Sequence, residues 1–247
     1  MLKVYHIRHD FFIIQTEDFD IVVDPYNLQE QDLNILDNAT PTYIFITHPH
    51  YDHYNKQDIF LIATRKPHKQ NKLIFPETAQ PRILEQDMLH ELYPTQDKII
   101  LTKPNNIYSL PGNLRVFTIP AYNINKLRDD GKPFHPKQEN WVGYIFELSR
   151  TYLNTDVQIN AKYFKQRSFS PVLTIMHTGD SDNIPEYKNL PTNVDMLFVP
   201  VSGTYVMTSQ EACNATKIIQ AQYVIPMHYG EIVGTEQNAK DYLECIA

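Results

Sequence analysis

Thr42-Tyr43-Ile44-Phe45-Ile46-Thr47-His48-Pro49-His50-Tyr51-Asp52-His53 joins an apolar run to a cluster of donors. The first six residues are β-branched and aromatic, the composition of a buried strand. The last six carry three imidazoles and a carboxylate, the donors that zinc, iron(II) and manganese(II) take. The cluster therefore sits at a strand end, held by core behind it and open to solvent ahead. Pro49 turns His48 away from helix towards extended backbone. Residues two apart then share a face, so His48 and His50 reach one metal. Asp52 and His53, past the bend, reach a second. A purely structural reading is poor, because burying such groups without partners costs on the order of several kcal/mol.

Three further segments fit the same scheme. His9-Asp10-Phe11-Phe12-Ile13-Ile14 leads to Ile21-Val22-Val23-Asp24-Pro25 near the N-terminus. Met176-His177-Thr178-Gly179-Asp180 and Val224-Ile225-Pro226-Met227-His228-Tyr229 are two later strand ends with polar residues at their tips. Asp180 follows His53 by 180 − 53 = 127 residues, and His228 follows Asp180 by 228 − 180 = 48. Gly179, Gly203 and Gly230 each follow an apolar run, where a glycine supplies positive φ or close backbone approach.

H-x-H-x-D-H behind an apolar strand, with these segments in this order over nearly the whole chain, resembles the metallo-β-lactamase-fold hydrolases. Within them the chain is similar to the small bacterial metal-dependent hydrolases that include sugar-lactone lactonases and are related to N-acyl-phosphatidylethanolamine phospholipase D. The resemblance implies an α/β fold, an αββα sandwich of two mixed sheets flanked by helices. It implies two divalent transition-metal ions, zinc first, with manganese or iron as alternatives. The implied ligands are His48, His50, Asp52, His53, Asp180 and His228, with Asp180 bridging. Asp52 and Asp180 are the implied catalytic carboxylates, and Asp24 orients a ligand histidine. His9 and His177 read equally as helpers of ligands or as ordinary strand-end residues.

One departure stands out. Most members of that family carry a ligand histidine at the end of the strand corresponding to Leu114-Arg115-Val116-Phe117-Thr118-Ile119. Here Pro120-Ala121-Tyr122-Asn123 follows. The nearest candidate is His135, between Pro133 and Pro136. His135 is therefore carried as a metal ligand; the alternatives are that this metal is weakly held or that the protein uses one metal. Lys126, Lys132 and Lys137 surround this loop, and Lys126 and Lys137 are candidate binders of an anionic substrate.

The 247 residues suffice for one domain, taken as 1–247. No apolar run approaches 18 residues, so no membrane span is expected. A net charge of −7 argues against nonspecific nucleic-acid binding. With charge in the first strand there is no export signal, and Cys213 and Cys245 read as two reduced thiols of a cytoplasmic protein. A homo-oligomer is left open.

Strands are expected at 3–8, 11–16, 20–24, 42–47, 72–75, 113–119, 141–148, 172–177, 196–200 and 223–227. Helices are expected at 54–65, 77–90, 208–221 and 236–246, with a capping box at Thr208-Ser209-Gln210-Glu211. The segment 150–171 reads as an added loop or hairpin bearing Tyr163, Phe164, Lys165, Arg167 and Phe169. The function expected is hydrolysis of a small anionic ester, lactone or phosphodiester by a metal-activated hydroxide. The alternatives are a phosphodiesterase on nucleotide or phospholipid-like substrates, and a metal-binding scaffold without turnover.

Overall fold

The computed structural model describes residues 2–36, 39–84, 93, 96–148, 157–160 and 172–247. The chain forms two compact units. The first comprises Met1–Thr102 with Thr151–Ala161, and the second Lys103–Arg150 with Lys162–Ala247. Each is built on one mixed sheet with helices, the class that the sequence implied.

The first unit holds β1 (Leu2–Arg8), β2 (Phe11–Gln15), β3 (Asp20–Val23), β4 (Thr42–Phe45), β5 (Lys72–Pro76), β6 (Ile99–Thr102) and β10 (Val157–Asn160). Their order is β10-β1-β2-β3-β4-β5-β6. The pairs β3/β4, β4/β5 and β5/β6 are parallel, while β2 runs antiparallel to β1 and β3. β1, β3 and β4 therefore all point the same way and end on one edge. All four residues of β3 and of β4 are buried, as expected of central strands covered on both faces. Phe11, Ile13, Val22, Ile44, Leu73 and Phe75 share one core cluster with Ile59 and Ile62 of α2 (Lys56–Arg65). Asn55 caps α2 by accepting from the amides of Gln57 and Asp58. Two short helices, α1 (Glu30–Leu33) and α3 (Gln80–Leu84), complete the unit.

The second unit holds β7 (Ile107–Leu110), β8 (Leu114–Pro120), β9 (Val142–Leu148), β11 (Leu173–His177), β12 (Met196–Pro200) and β13 (Tyr223–Met227), ordered β13-β12-β11-β9-β8-β7. β11, β12 and β13 are parallel, and β9 is antiparallel to both β11 and β8. The carboxyl ends of β8, β11, β12 and β13 consequently lie on one edge. α4 (Ser209–Ile219) and α5 (Glu236–Ile246) pack with this sheet. Ala212, Ala215 and Ile219 share a core cluster with Ile145, Leu197 and Val224. The expected capping box is present: Thr208 Oγ1 accepts from Glu211 N, and Glu211 Oε2 accepts from Thr208 N.

The reading of Cys213 and Cys245 as reduced thiols is overturned. They form a disulfide between α4 and α5, with Cα atoms 6.1 Å apart. Both helices turn their packed faces towards one another there, which puts the sulfurs in reach. The cytoplasmic expectation loses that support. Among the described residues no helix is long and apolar enough to cross a membrane.

β6, β7, β10 and α1 were not expected from the sequence. Of the helix expected at 77–90, residues 77–79 are a 3₁₀ turn leading into α3, and 85–90 lie outside the described residues. The insertion expected at 150–171 also lies outside them, except for β10, which pairs parallel with β1.

Candidate metal centre

In the first unit the strand ends gather the donors. Asp24 closes β3, and its amide donates to Phe45 O at 2.9 Å, which ties it to the end of β4. Its carboxylate accepts from Thr47 N at 2.8 Å, from Thr47 Oγ1 at 2.6 Å and from His53 Nδ1 at 2.8 Å. Those contacts fix protons. Thr47 spends its hydroxyl hydrogen on Asp24, so its oxygen accepts from His48 Nδ1 at 3.0 Å. His48 and His53 are then both protonated on Nδ1 and carry lone pairs on Nε2. His48 Nε2 lies 3.0 Å from His50 Nδ1. His53 Nε2 lies 3.4 Å from Asp10 Oδ2 and 3.8 Å from Asp52 Oδ2. His9, in the β1–β2 turn, sets Nε2 3.3 Å from Asp52 Oδ2. One ligand atom from each of His9, Asp52 and His53 lies within 4.8 Å of the others. His9, Asp10, Asp24, His48, Asp52 and His53 are all buried. A buried imidazole lone pair facing carboxylate oxygens is stable only with a proton or a cation among them. The donor set therefore fits a divalent transition metal.

The second unit repeats the pattern. Asp180 follows β11, Ser202 follows β12 and His228 follows β13, the carboxyl-end placement typical of ligand sites in α/β sheets. His135 Nε2 and His228 Nε2 lie 3.1 and 3.2 Å from the same oxygen, Asp180 Oδ2. All three residues are buried. His228 Nδ1 lies 3.1 Å from Ser202 Oγ. His135 is backed by Asn123, whose Oδ1 accepts from His135 Nδ1 at 2.9 Å. Two imidazoles converging on one carboxylate oxygen again make a set that fits a metal.

Three of these residues sit in left-handed backbone: His9 at φ 45°, Asp24 at φ 46° and His228 at φ 58°. Non-glycine residues rarely adopt it, and the strain concentrates at functional sites. The three glycines singled out in the sequence, Gly179, Gly203 and Gly230, have φ 63°, 80° and 85°.

Gly143 carries a different constraint. A Cβ built there would lie 2.5 Å from Thr178 O and 2.6 Å from His177 O, both backbone atoms at the start of the Asp180 loop. Gly143→Ala must displace that loop. We expect a loss at or above the upper end of the ~1–3 kcal/mol typical of overpacking, read as a lower Tm together with reduced metal content. An unchanged Tm would refute it.

The two lysines meet glutamates. Lys126 Nζ lies 2.7 Å from Glu211 Oε2 and 3.7 Å from Asp182 Oδ1, and its side chain is 10% exposed. Burial alone would raise the Glu211 carboxyl, but Lys126 and the Thr208 amide hold it down to about 2. Lys137 Nζ lies 2.8 Å from Glu186 and 3.2 Å from Tyr122 OH, with the side chain 58% exposed. Sequence reading gave Asp10 no role and left His9 open. The signal for both was their position at the turn where β1 reaches the edge shared with Asp24. His177 Nδ1 accepts from Gly179 N at 3.1 Å, which braces the turn before Asp180.

The family model described as a β-lactamase superfamily domain matches residues 3–228. A UPF0173 protein of Pyrococcus abyssi is 27% identical over 94% of this chain and 86% of its own length. A protein of Pyrobaculum arsenaticum named UPF0173 metal-dependent hydrolase is 22% identical over 98% of this chain and 90% of its own. Igni18, described as a novel metallo hydrolase from Ignicoccus hospitalis, shares the fold with a TM-score of 0.66 at 19% identity, over 98% of this chain and 91% of that one. The matched span takes in the H-x-H-x-D-H run, the Asp180 loop and His228, and the chain belongs to the metallo-β-lactamase-fold hydrolases.

Proposed function

We propose that this member of the metallo-β-lactamase-fold hydrolases acts on a small anionic ester, lactone or phosphodiester, as one domain spanning residues 1–247. In this reading His48, His50, Asp52, His53, His135, Asp180 and His228 hold two divalent transition-metal ions, zinc first. The observation that carries it is the convergence of His135 and His228 on Asp180 Oδ2. A divalent cation held there supplies Lewis acidity and draws the pKa of a bound water towards neutrality. The protein's own part is positional. Asp24 sets the tautomers of His53 and, through Thr47, of His48, so that both present Nε2. Asp10 and Asp52 supply the negative charge that retains a cation. Asp180 offers one oxygen to two imidazoles and so fixes their separation. Of the lysines, Lys137 is the one whose ammonium can meet a substrate anion; Lys126 is enclosed by Glu211 and Asp182 and holds its loop.

Metal analysis of the purified protein, paired with a panel of lactones, p-nitrophenyl phosphodiesters and thioesters, tests the reading. One to two equivalents of transition metal are expected. At least one substrate should be hydrolysed, with activity lost in chelator and regained on adding zinc or manganese, and Lys137→Ala should raise KM chiefly for anionic members. Folded, metal-free protein with full activity would refute it. Bound metal without turnover on any member would favour the scaffold instead.

A further inference from the structure

Asn123 closes the Pro120-Ala121-Tyr122-Asn123 segment at the end of β8, and it is not idle. Its Oδ1 accepts from His135 N at 2.8 Å and from His135 Nδ1 at 2.9 Å. Its own amide donates to His135 O at 2.8 Å. Two segments twelve residues apart are thus paired through both backbone and side chain. The Asn123 side chain cannot turn over. Its Nδ2 donates to Tyr205 O at 2.9 Å and to Asp182 Oδ1 at 3.3 Å, and a flipped amide would turn its own N–H groups onto the backbone N–H of His135. Asp182 in turn accepts from the amides of Ile124 and Asn125 at 2.6 and 2.9 Å. The loop carrying Asn123 is therefore pinned to a residue two places after Asp180. The His135 ring also packs edge-on against Trp141.

We propose that Asn123 is a positioning residue that locks His135 in the Nδ1-protonated tautomer and so presents Nε2 as a metal ligand. This rests on the metal-dependent reading above. Asn123 offers an amide oxygen where Asp24, which backs His53, offers a carboxylate. An amide acceptor orients an imidazole but adds less to its basicity than a carboxylate does. His135 is thus held more softly than His53.

The experiment is a double-mutant cycle on metal affinity, with zinc titrated against a competing chelator. Asn123→Ala should weaken zinc binding about 10–100-fold, the usual cost of losing the partner of a ligand histidine. In a His135→Ala background the same change should have less than about a twofold effect, because Asn123 would have nothing left to orient. Equal losses in both backgrounds would assign Asn123 a merely structural role and overturn the proposal, as would unchanged affinity in the single variant. Nitrogen-15 NMR of the metal-free wild-type protein needs no variant to fold: a proton on Nδ1 of His135 is expected, and one on Nε2 alone would overturn it. Wild-type protein that binds no zinc would sink the functional reading and the ligand assignment together. Zinc-binding wild type with a silent Asn123→Ala would sink only the latter.

Discussion

Asp180→Ala is expected to lower turnover by more than about 100-fold and to strip the protein of most of its metal, exceeding the 10–100-fold cost of losing a partner outside the ligand set. The carboxylate is 3% exposed, and two imidazole nitrogens lie 3.1 and 3.2 Å from one of its oxygens. Alanine removes the carboxylate oxygen on which His135 and His228 converge. A cation held there would lose both a ligand and a countercharge. Asp180→Asn separates the two losses, since it keeps the shape and one oxygen but not the charge. Metal per protein and kcat measured side by side, with circular dichroism to confirm the fold, decide the matter. Full metal content and normal kcat in Asp180→Ala would remove Asp180 from the site.

Breaking the Cys213–Cys245 link costs the second unit about 3–4 kcal/mol. The bond closes a loop with a sequence separation of 32, and the chain-entropy relation gives that figure for a loop of this length. Cys213 is fully buried, so replacing it would add a packing penalty of its own. Cys245→Ser is the cleaner variant, because this residue is only half-buried. For a chain of this size the loss corresponds to about 6–16 °C in Tm. Melting curves of wild type with and without reductant, set beside Cys245→Ser, should show the same downward shift. Superimposable curves would mean that the bond is absent in solution or contributes nothing.

What could be read in the sequence was what depends on neighbours along the chain. The H-x-H-x-D-H run declares itself because its donors lie within six residues, and the apolar run before it fixes a strand. The Thr208–Glu211 capping box is equally local. Long-range pairings were invisible. β10 joins β1 across more than 150 residues, Leu2 to Val157, and nothing in Val157-Gln158-Ile159-Asn160 announces that partner. β7 is an edge strand, largely exposed, and lacks the apolar signature of the central strands. α1 is a single turn. Lys126 illustrates the limit for the site. Its charge was plain, but the carboxylate that meets it, Glu211, is 85 residues away. Asn123 was legible as a missing histidine; its grip on His135 needed the fold.

The left-handed backbone at His9, Asp24 and His228 sets a price on any attempt to toughen this protein. Each position would be relieved of roughly 1–3 kcal/mol of strain by glycine, and partly by asparagine. A laboratory screen that rewards heat resistance alone would therefore be drawn to His9 and His228 early, whereas Asp24 is held in place by the three buried hydrogen bonds it accepts. It would return sturdier chains in which the donors had been discarded. A selection meant to keep the chemistry has to score turnover and heat tolerance in the same round.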